Sequence, residues 1–173
     1  AFAFVLATML IPEVVTARPL YEFMQKVKLY DTYPGLILLY ISTVIPFTVL
    51  ILRNFVGEIP ISLEEAAAID GASFSQRLFT IVLPLMKPAI AVQAIFTFVA
   101  NWNNYFTPAL VLHDDKMKTL PILIAQLRSA DFLKFDMGKV YMMLGCAILP
   151  VIIVYLCLSK FIVRGVTLGG VKG

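Results

Sequence analysis

The sequence predicts an all-α membrane protein, a polytopic helical bundle, on three observations. Hydrophobic residues make up 60% of the 173 and charged residues only 14%, where soluble domains average about 25% charged. Mean hydropathy is +0.89. The charges are also unevenly placed. No Asp, Glu, Lys or Arg lies between Asp31 and Arg53, between Lys87 and Asp114, or between Lys139 and Lys160. A helix crossing a bilayer needs roughly 20 apolar residues, and each gap is long enough. Lastly, the runs are continuously apolar, whereas a barrel strand alternates over about 9–11 residues.

Taken in order, the spans are expected at about 1–17, 34–52, 88–112 and 138–161. The first is short. The chain has no starting Met and opens inside an apolar run, which reads as a fragment of a larger polytopic protein. A secretory signal is a poorer match, because no Lys or Arg precedes the run. Pro12, Pro46, Pro108 and Pro150 fall one in each span. Spanning helices tolerate proline when neighbours satisfy the freed carbonyl, so kinked helices are expected. Cys146 and Cys157 share the last span about 16 Å apart along a helix, too far for a disulfide. The net charge of +3 is too small to argue for nucleic acid, and the apolar spans are expected to lie in membrane lipid.

Two connectors carry helical stripes. In 18–33, Leu20, Phe23, Met24 and Val27 recur at i, i+3, i+4 and i+7, the pattern of an amphipathic helix in the interface. In 113–139, Pro121 can open a helix striped by Leu120, Leu123, Ile124 and Leu127. Asp131, Lys134, Asp136 and Lys139 follow, with Phe132 and Phe135 among them. His113 stands alone, with no Cys or second His nearby to build a metal site, and reads as a helix-end or loop residue.

The connector 53–87 is the most informative. Ser62 with Glu65 has the capping-box spacing, so a helix is expected from Leu63 to Ile69. Gly71 can take the left-handed conformation that ends it. Ser73 with Gln76 repeats the box and starts a second helix, expected to reach about Leu83, where Pro84 stops it. Pro88 suits the first turn of the next span. The result is a stiff elbow. Ala66, Ala67 and Ala68 leave it thin, and Glu64, Glu65 and Asp70 place acid beside any partner.

The spacing E-A-A-x3-G-x9-I-x-L-P, from Glu65, Ala66, Ala67 and Gly71 to Ile81, Leu83 and Pro84, resembles the coupling loop of ABC-importer permeases. Asn101-Trp102-Asn103-Asn104 resembles the Trp-Asn-rich stretch of the following span. The end of the chain, from Phe161 to Gly169, Gly170, Val171, Lys172 and Gly173, is similar to the C-terminal signature of carbohydrate-type permeases. The resemblance covers essentially the whole chain and implies a permease fold with four of six spans present. It implies a transport subunit that is not an enzyme and binds no cofactor. ATP and Mg would be bound by a partner ABC ATPase dimer, in keeping with the lack of a Walker-type G-x-x-x-x-G-K-[ST] segment here. It also implies a second permease subunit, an external substrate-binding protein and a sugar or sugar-like substrate. The location implied is the cytoplasmic (inner) membrane of a prokaryote, with the elbow and the tail 162–173 in the cytoplasm. Counting basic residues alone, eight in 18–33 and 113–139 against six elsewhere, would face the elbow outward. The resemblance outweighs that count.

Within the spans, Gln93, Asn101, Trp102, Asn103 and Asn104 are the candidates for a substrate pathway. Intramembrane polar groups face the bundle interior, and sugars need amides and aromatic faces. Interhelical glue is an equal reading of the Asn101–Asn104 cluster. A secondary transporter or channel subunit without an ATPase is the competing function, and that class would usually carry a charged residue in a span core. The three complete spans have none.

Overall fold

A computed structural model describes residues 2–129 and 136–169. Among the described residues, helices are the only regular secondary structure, and the chain is an all-α membrane bundle. The expected first span is two helices. α1 (Phe2–Thr8) and α2 (Glu13–Lys26) meet at a 94° bend. Pro12 takes the N-cap position of α2 with extended backbone (φ −64°, ψ 137°). A proline cannot continue the hydrogen-bond ladder of the helix before it. α2 therefore absorbs most of the expected interfacial connector.

The predicted stripe on that connector splits. Met24 is buried at 2% exposure and Leu20 packs beside it, while Phe23 and Val27 face outward at 57% and 38%. α2 ends in a Schellman motif: Leu29 N–H donates to Met24 O at 3.0 Å and Lys28 N–H to Gln25 O at 3.1 Å. That motif needs a left-handed residue, usually glycine. Here Lys28 supplies it, at φ 58°.

α3 (Tyr33–Glu58) and α10 (Met137–Gly169) are each long and apolar enough to cross a membrane. Both run through their prolines, Pro46 and Pro150. Between them lie α4 (Ile61–Ile69), α5 (Phe74–Arg77), a π turn (Leu78–Val82) and α6 (Leu83–Leu85). Then come α7 (Lys87–Trp102), α8 (Phe106–Val111), a 3-10 turn (Asp115–Met117) and α9 (Leu120–Ser129). The expected span 88–112 is thus interrupted. On α9 the residue buried most deeply is Ile122, which lies off the predicted stripe. The mixed-charge segment at Asp131, Phe132, Lys134 and Phe135 lies outside the described residues. Cys146 and Cys157 are free thiols.

The chain divides into two compact units. The first comprises Ala1–Pro46 and Phe98–Ile153. Its core is Met24, Leu36, Leu39, Val111 and Leu112. α2 and α3 approach closely because Gly35 has no side chain. A Cβ there would lie 2.0 Å from Leu29 O and 2.7 Å from Met24 Cε. Thr32 caps α3, accepting from Gly35 N–H at 3.1 Å while its own hydroxyl donates to Leu29 O at 2.7 Å. The second unit comprises Phe47–Thr97 and Val154–Gly173. Val82, Met86, Ala89, Ala91 and Ile95 are buried in it, and the Phe47 and Phe96 rings meet at 6.3 Å.

Candidate functional site

The elbow between α3 and α7 is built from local signals. α4 begins one residue earlier than Ser62 would set it. Pro60 occupies the N-cap position (φ −60°, ψ 123°) with no side-chain hydrogen bond, and Ser62 lies inside the first turn. The expected box of Ser62 with Glu65 does not form, because the proline already turns the chain into the helix at Ile61. At the other end a second Schellman motif closes α4. Ala72 N–H donates to Ala67 O at 2.9 Å and Gly71 N–H to Ala68 O at 3.1 Å, with Gly71 at φ +80°. The box of Ser73 with Gln76 is complete. Gln76 N–H donates to Ser73 Oγ at 3.3 Å, and Ser73 N–H to Gln76 Oε1 at 2.8 Å.

Beyond that box the helical path is not a plain α-helix. It widens through the π turn, passes Pro84 and ends at Met86, so Pro84 is not the stop expected of it. A proline ring would crowd the carbonyl four residues back, at Thr80. Inserting one extra residue per turn at 78–82 moves that carbonyl out of the way. The axis then bends by 66° into α7, where Pro88 falls in the first turn as expected.

The elbow is ordered yet apolar side chains stand out from it. Ile61 is 71% exposed, Ile69 87%, Phe74 71% and Phe79 65%. Glu65, Ala66, Asp70, Gly71 and Pro84 are also exposed, whereas Glu64, Ala67, Ile81 and Leu83 are partly buried. Arg77 Nε is buried with no hydrogen-bond partner among the described residues. Of the tail, Gly169 is the last residue of α10, and Gly170, Val171, Lys172 and Gly173 lie outside the described residues.

The second candidate region is the break between α7 and α8, at Asn103–Tyr105. Pro108 explains it, since its ring excludes a helical carbonyl at Asn104. The amides predicted as path or glue hold the break locally. Asn103 Nδ2 donates to Val99 O at 2.8 Å, and Asn104 Oδ1 accepts from Thr107 N–H at 3.0 Å. Asn101 contributes its carbonyl, which accepts from Asn104 N–H at 3.3 Å and Tyr40 Oη at 3.5 Å. Trp102 bridges helices through its side chain, donating from Nε1 to Ala147 O of α10 at 2.9 Å. Gln93 is buried elsewhere, within the second unit. Its Nε2 donates to Thr48 Oγ1 at 2.7 Å and Thr97 Oγ1 at 3.2 Å, leaving Oε1 buried and unpaired among the described residues.

One functional-looking residue escaped the sequence reading. Asp31, at φ 55°, accepts through Oδ1 from His113 N–H at 2.7 Å and Asp114 N–H at 3.1 Å. Its own N–H donates to Val111 O at 2.9 Å. Tyr30 Oη lies 2.5 Å from His113 Nδ1. The His113 and Asp114 amides hold the Asp31 carboxyl below its ordinary value. The only sequence hint was an Asp, a residue that tolerates left-handed backbone, followed by a Thr suited to capping the next helix.

The family model for the binding-protein-dependent transport system inner membrane component matches residues 1–168. The chain belongs to this permease family. The arabinooligosaccharides transport system permease protein AraQ of Bacillus subtilis is 38% identical over 99% of the chain and 60% of its own length. The probable ABC transporter permease protein YurM of the same organism is 36% identical over 95% of the chain and 54% of its own length. The trehalose/maltose transport system permease protein MalG of Thermococcus litoralis is 32% identical over 98% of the chain and 61% of its own length. The chain thus spans just over half the length of these relatives. All three are named as permeases, none as an enzyme. The family's description places its members in the inner membrane, which fits the apolar helices of this permease.

Proposed function

We propose that this permease is one subunit of an ATP-driven ABC importer that forms half of a transmembrane pathway for a sugar or sugar-like solute. A separate ATPase docks on the elbow 59–86. The observation that carries the reading is an ordered elbow with uncovered apolar side chains. A Schellman motif and a capping box fix its shape, while Ile69 and Phe74 stand largely bare. A rigid lever can transmit a displacement; its bare apolar tips suit insertion into a cleft. Glu64, Glu65, Ala66, Ala67, Asp70, Gly71, Ile81, Leu83 and Pro84 form or brace that contact. Relatives named for arabinooligosaccharides and for trehalose and maltose support a carbohydrate substrate. The importer reading then adds a second permease chain, an external binding protein, and ATP with Mg on the ATPase alone. The elbow and the tail at Gly169–Gly173 face the cytoplasm of a prokaryotic cell.

The test is to purify the full-length permease with the ATPase encoded beside it. The ATPase is expected to copurify and to hydrolyse ATP faster when sugar-loaded binding protein is added. Ile69→Glu, at an 87% exposed position, should release the ATPase while the permease still inserts in the membrane. Retention of the ATPase by that variant refutes the docking assignment. Sugar uptake driven by an ion gradient without any ATPase would make the protein a secondary transporter.

A further inference from the structure

The break between α7 and α8 leaves a hollow of about 290 Å³ in the first unit. Its walls come from three places: Trp102, Asn103 and Tyr105 at the break, Ile124 and Ala125 on α9, and Leu144 on α10. Trp102 is fixed there by two contacts. Phe98 stacks on its ring at 5.6 Å and 17°, and Ala147 O holds its Nε1. Tyr105 is 50% exposed. Asn103 uses its amide nitrogen on Val99 O, which leaves its Oδ1 available as an acceptor at the rim. No lining side chain carries a charge at neutral pH.

We propose that this hollow is a subsite for a single uncharged sugar ring. The inference rests on the importer reading and goes beyond it in naming where, and how much of, the solute is held. A pyranose has an apolar C–H face and a rim of hydroxyls. The fixed indole and the half-exposed phenol ring offer flat apolar surface, and Asn103 Oδ1 accepts from a hydroxyl. The volume lies at the lower limit of the roughly 300–1,000 Å³ typical of ligand pockets, which fits one ring rather than a whole oligosaccharide. A lipid acyl chain would strip Asn103 Oδ1 of water and return no hydrogen bond, a costly exchange. A phosphorylated or carboxylated solute would find no compensating cation. Trp102 and Asn103 therefore do two jobs, each holding backbone through one nitrogen, Ala147 O and Val99 O respectively, while also lining the hollow.

The test uses the full-length complex in nanodiscs, with Cys146→Ala and Cys157→Ala as background and Ala125→Cys as the probe. The rate of modification by a small methanethiosulfonate reagent is measured with trehalose, maltose and melibiose in turn. ATP-driven uptake of the same sugars is measured in proteoliposomes. A sugar at about five times its Kd should slow modification about sixfold, as 1 + [L]/Kd requires. Tyr105→Leu should reduce that protection to less than about twofold at the same concentration while the complex still assembles. Protection by none of the sugars overturns the subsite. So does a thiol that stays slow with and without sugar and becomes fast when lipid is stripped, which would assign the hollow to an acyl chain. Protection without ATP-driven uptake keeps the subsite and overturns the importer reading instead.

Discussion

Of the described glycines, Gly35 should be the one whose replacement by Ala meets the closest contacts and costs the first unit most. The added Cβ would sit 2.0 Å from Leu29 O and 2.7 Å from Met24 Cε. Carbon–oxygen contacts settle at about 3.3 Å or more, so the two backbones must part by about 1.3 Å. The methionine end can rotate away, but the Leu29 carbonyl cannot. It accepts from the Thr32 hydroxyl that caps α3, and Leu29 N–H is tied to Met24 O. Overpacking costs about 1–3 kcal/mol and occasionally more. The immovable partner here is backbone, so about 3 kcal/mol is the expected loss. At 2–4 °C per kcal/mol for a domain of this size, Tm should fall by roughly 6–12 °C. The assay is thermal unfolding of the purified full-length permease in detergent, with Gly57→Ala and Gly145→Ala as controls. Neither control has an atom within 4 Å of the new Cβ, and both sit in helices, where Ala is favoured over Gly by about 1 kcal/mol. They should match or slightly exceed the parent. A Gly35→Ala Tm within about 1 °C of the parent would refute the claimed close approach of α2 and α3.

Two further outcomes follow from polar contacts. Asp31 is held below the ordinary aspartate value of 3.8 by the His113 and Asp114 amides. Its stabilising contribution is therefore complete above that value and is lost as pH falls through the lower folded value. Asp31→Asn should flatten the acid limb of a Tm-against-pH curve; an unchanged limb would show that the clamp carries no proton linkage. Gln93→Leu removes two hydrogen bonds but also a buried unpaired oxygen. Thr48 and Thr97 can turn back to their own helix carbonyls. Interhelical bonds in membranes average about 0.6 kcal/mol, so a Tm loss of about 1–2 °C is expected. A collapse of the complex would instead make Gln93 essential to assembly.

Legibility in the sequence followed range. Gly71 and the box of Ser73 with Gln76 were readable because every partner lies within five residues. The apolar gaps marked the long helices α3 and α10 for the same reason. Proline was read less well, because its effect depends on what the backbone around it does. Pro46 and Pro150 ride inside helices as expected, but Pro12 and Pro108 mark breaks in expected spans, Pro60 displaced the expected cap at Ser62, and Pro84 is accommodated by a π turn that hydropathy does not register. Lys28 gave no sign of its left-handed role, since side-chain type alone argues against it. Asp31 was invisible because its partners lie 82 and 83 residues away. The Asn101–Asn104 cluster stood out by its polarity, but which atom of each residue is used could not be read, because Asn103 and Asn104 bond within their own turns while Trp102 reaches Ala147, 45 residues away.

Trp102 has an optical consequence. It is the only tryptophan among these 173 residues, and its indole N–H reaches across to the carbonyl of Ala147 on another helix. Emission from that ring depends on whether the bond is intact and how wet its surroundings are. In a form of the protein where no second indole competes, any movement that separates α7 from α10 should register as a colour shift, without a dye attached.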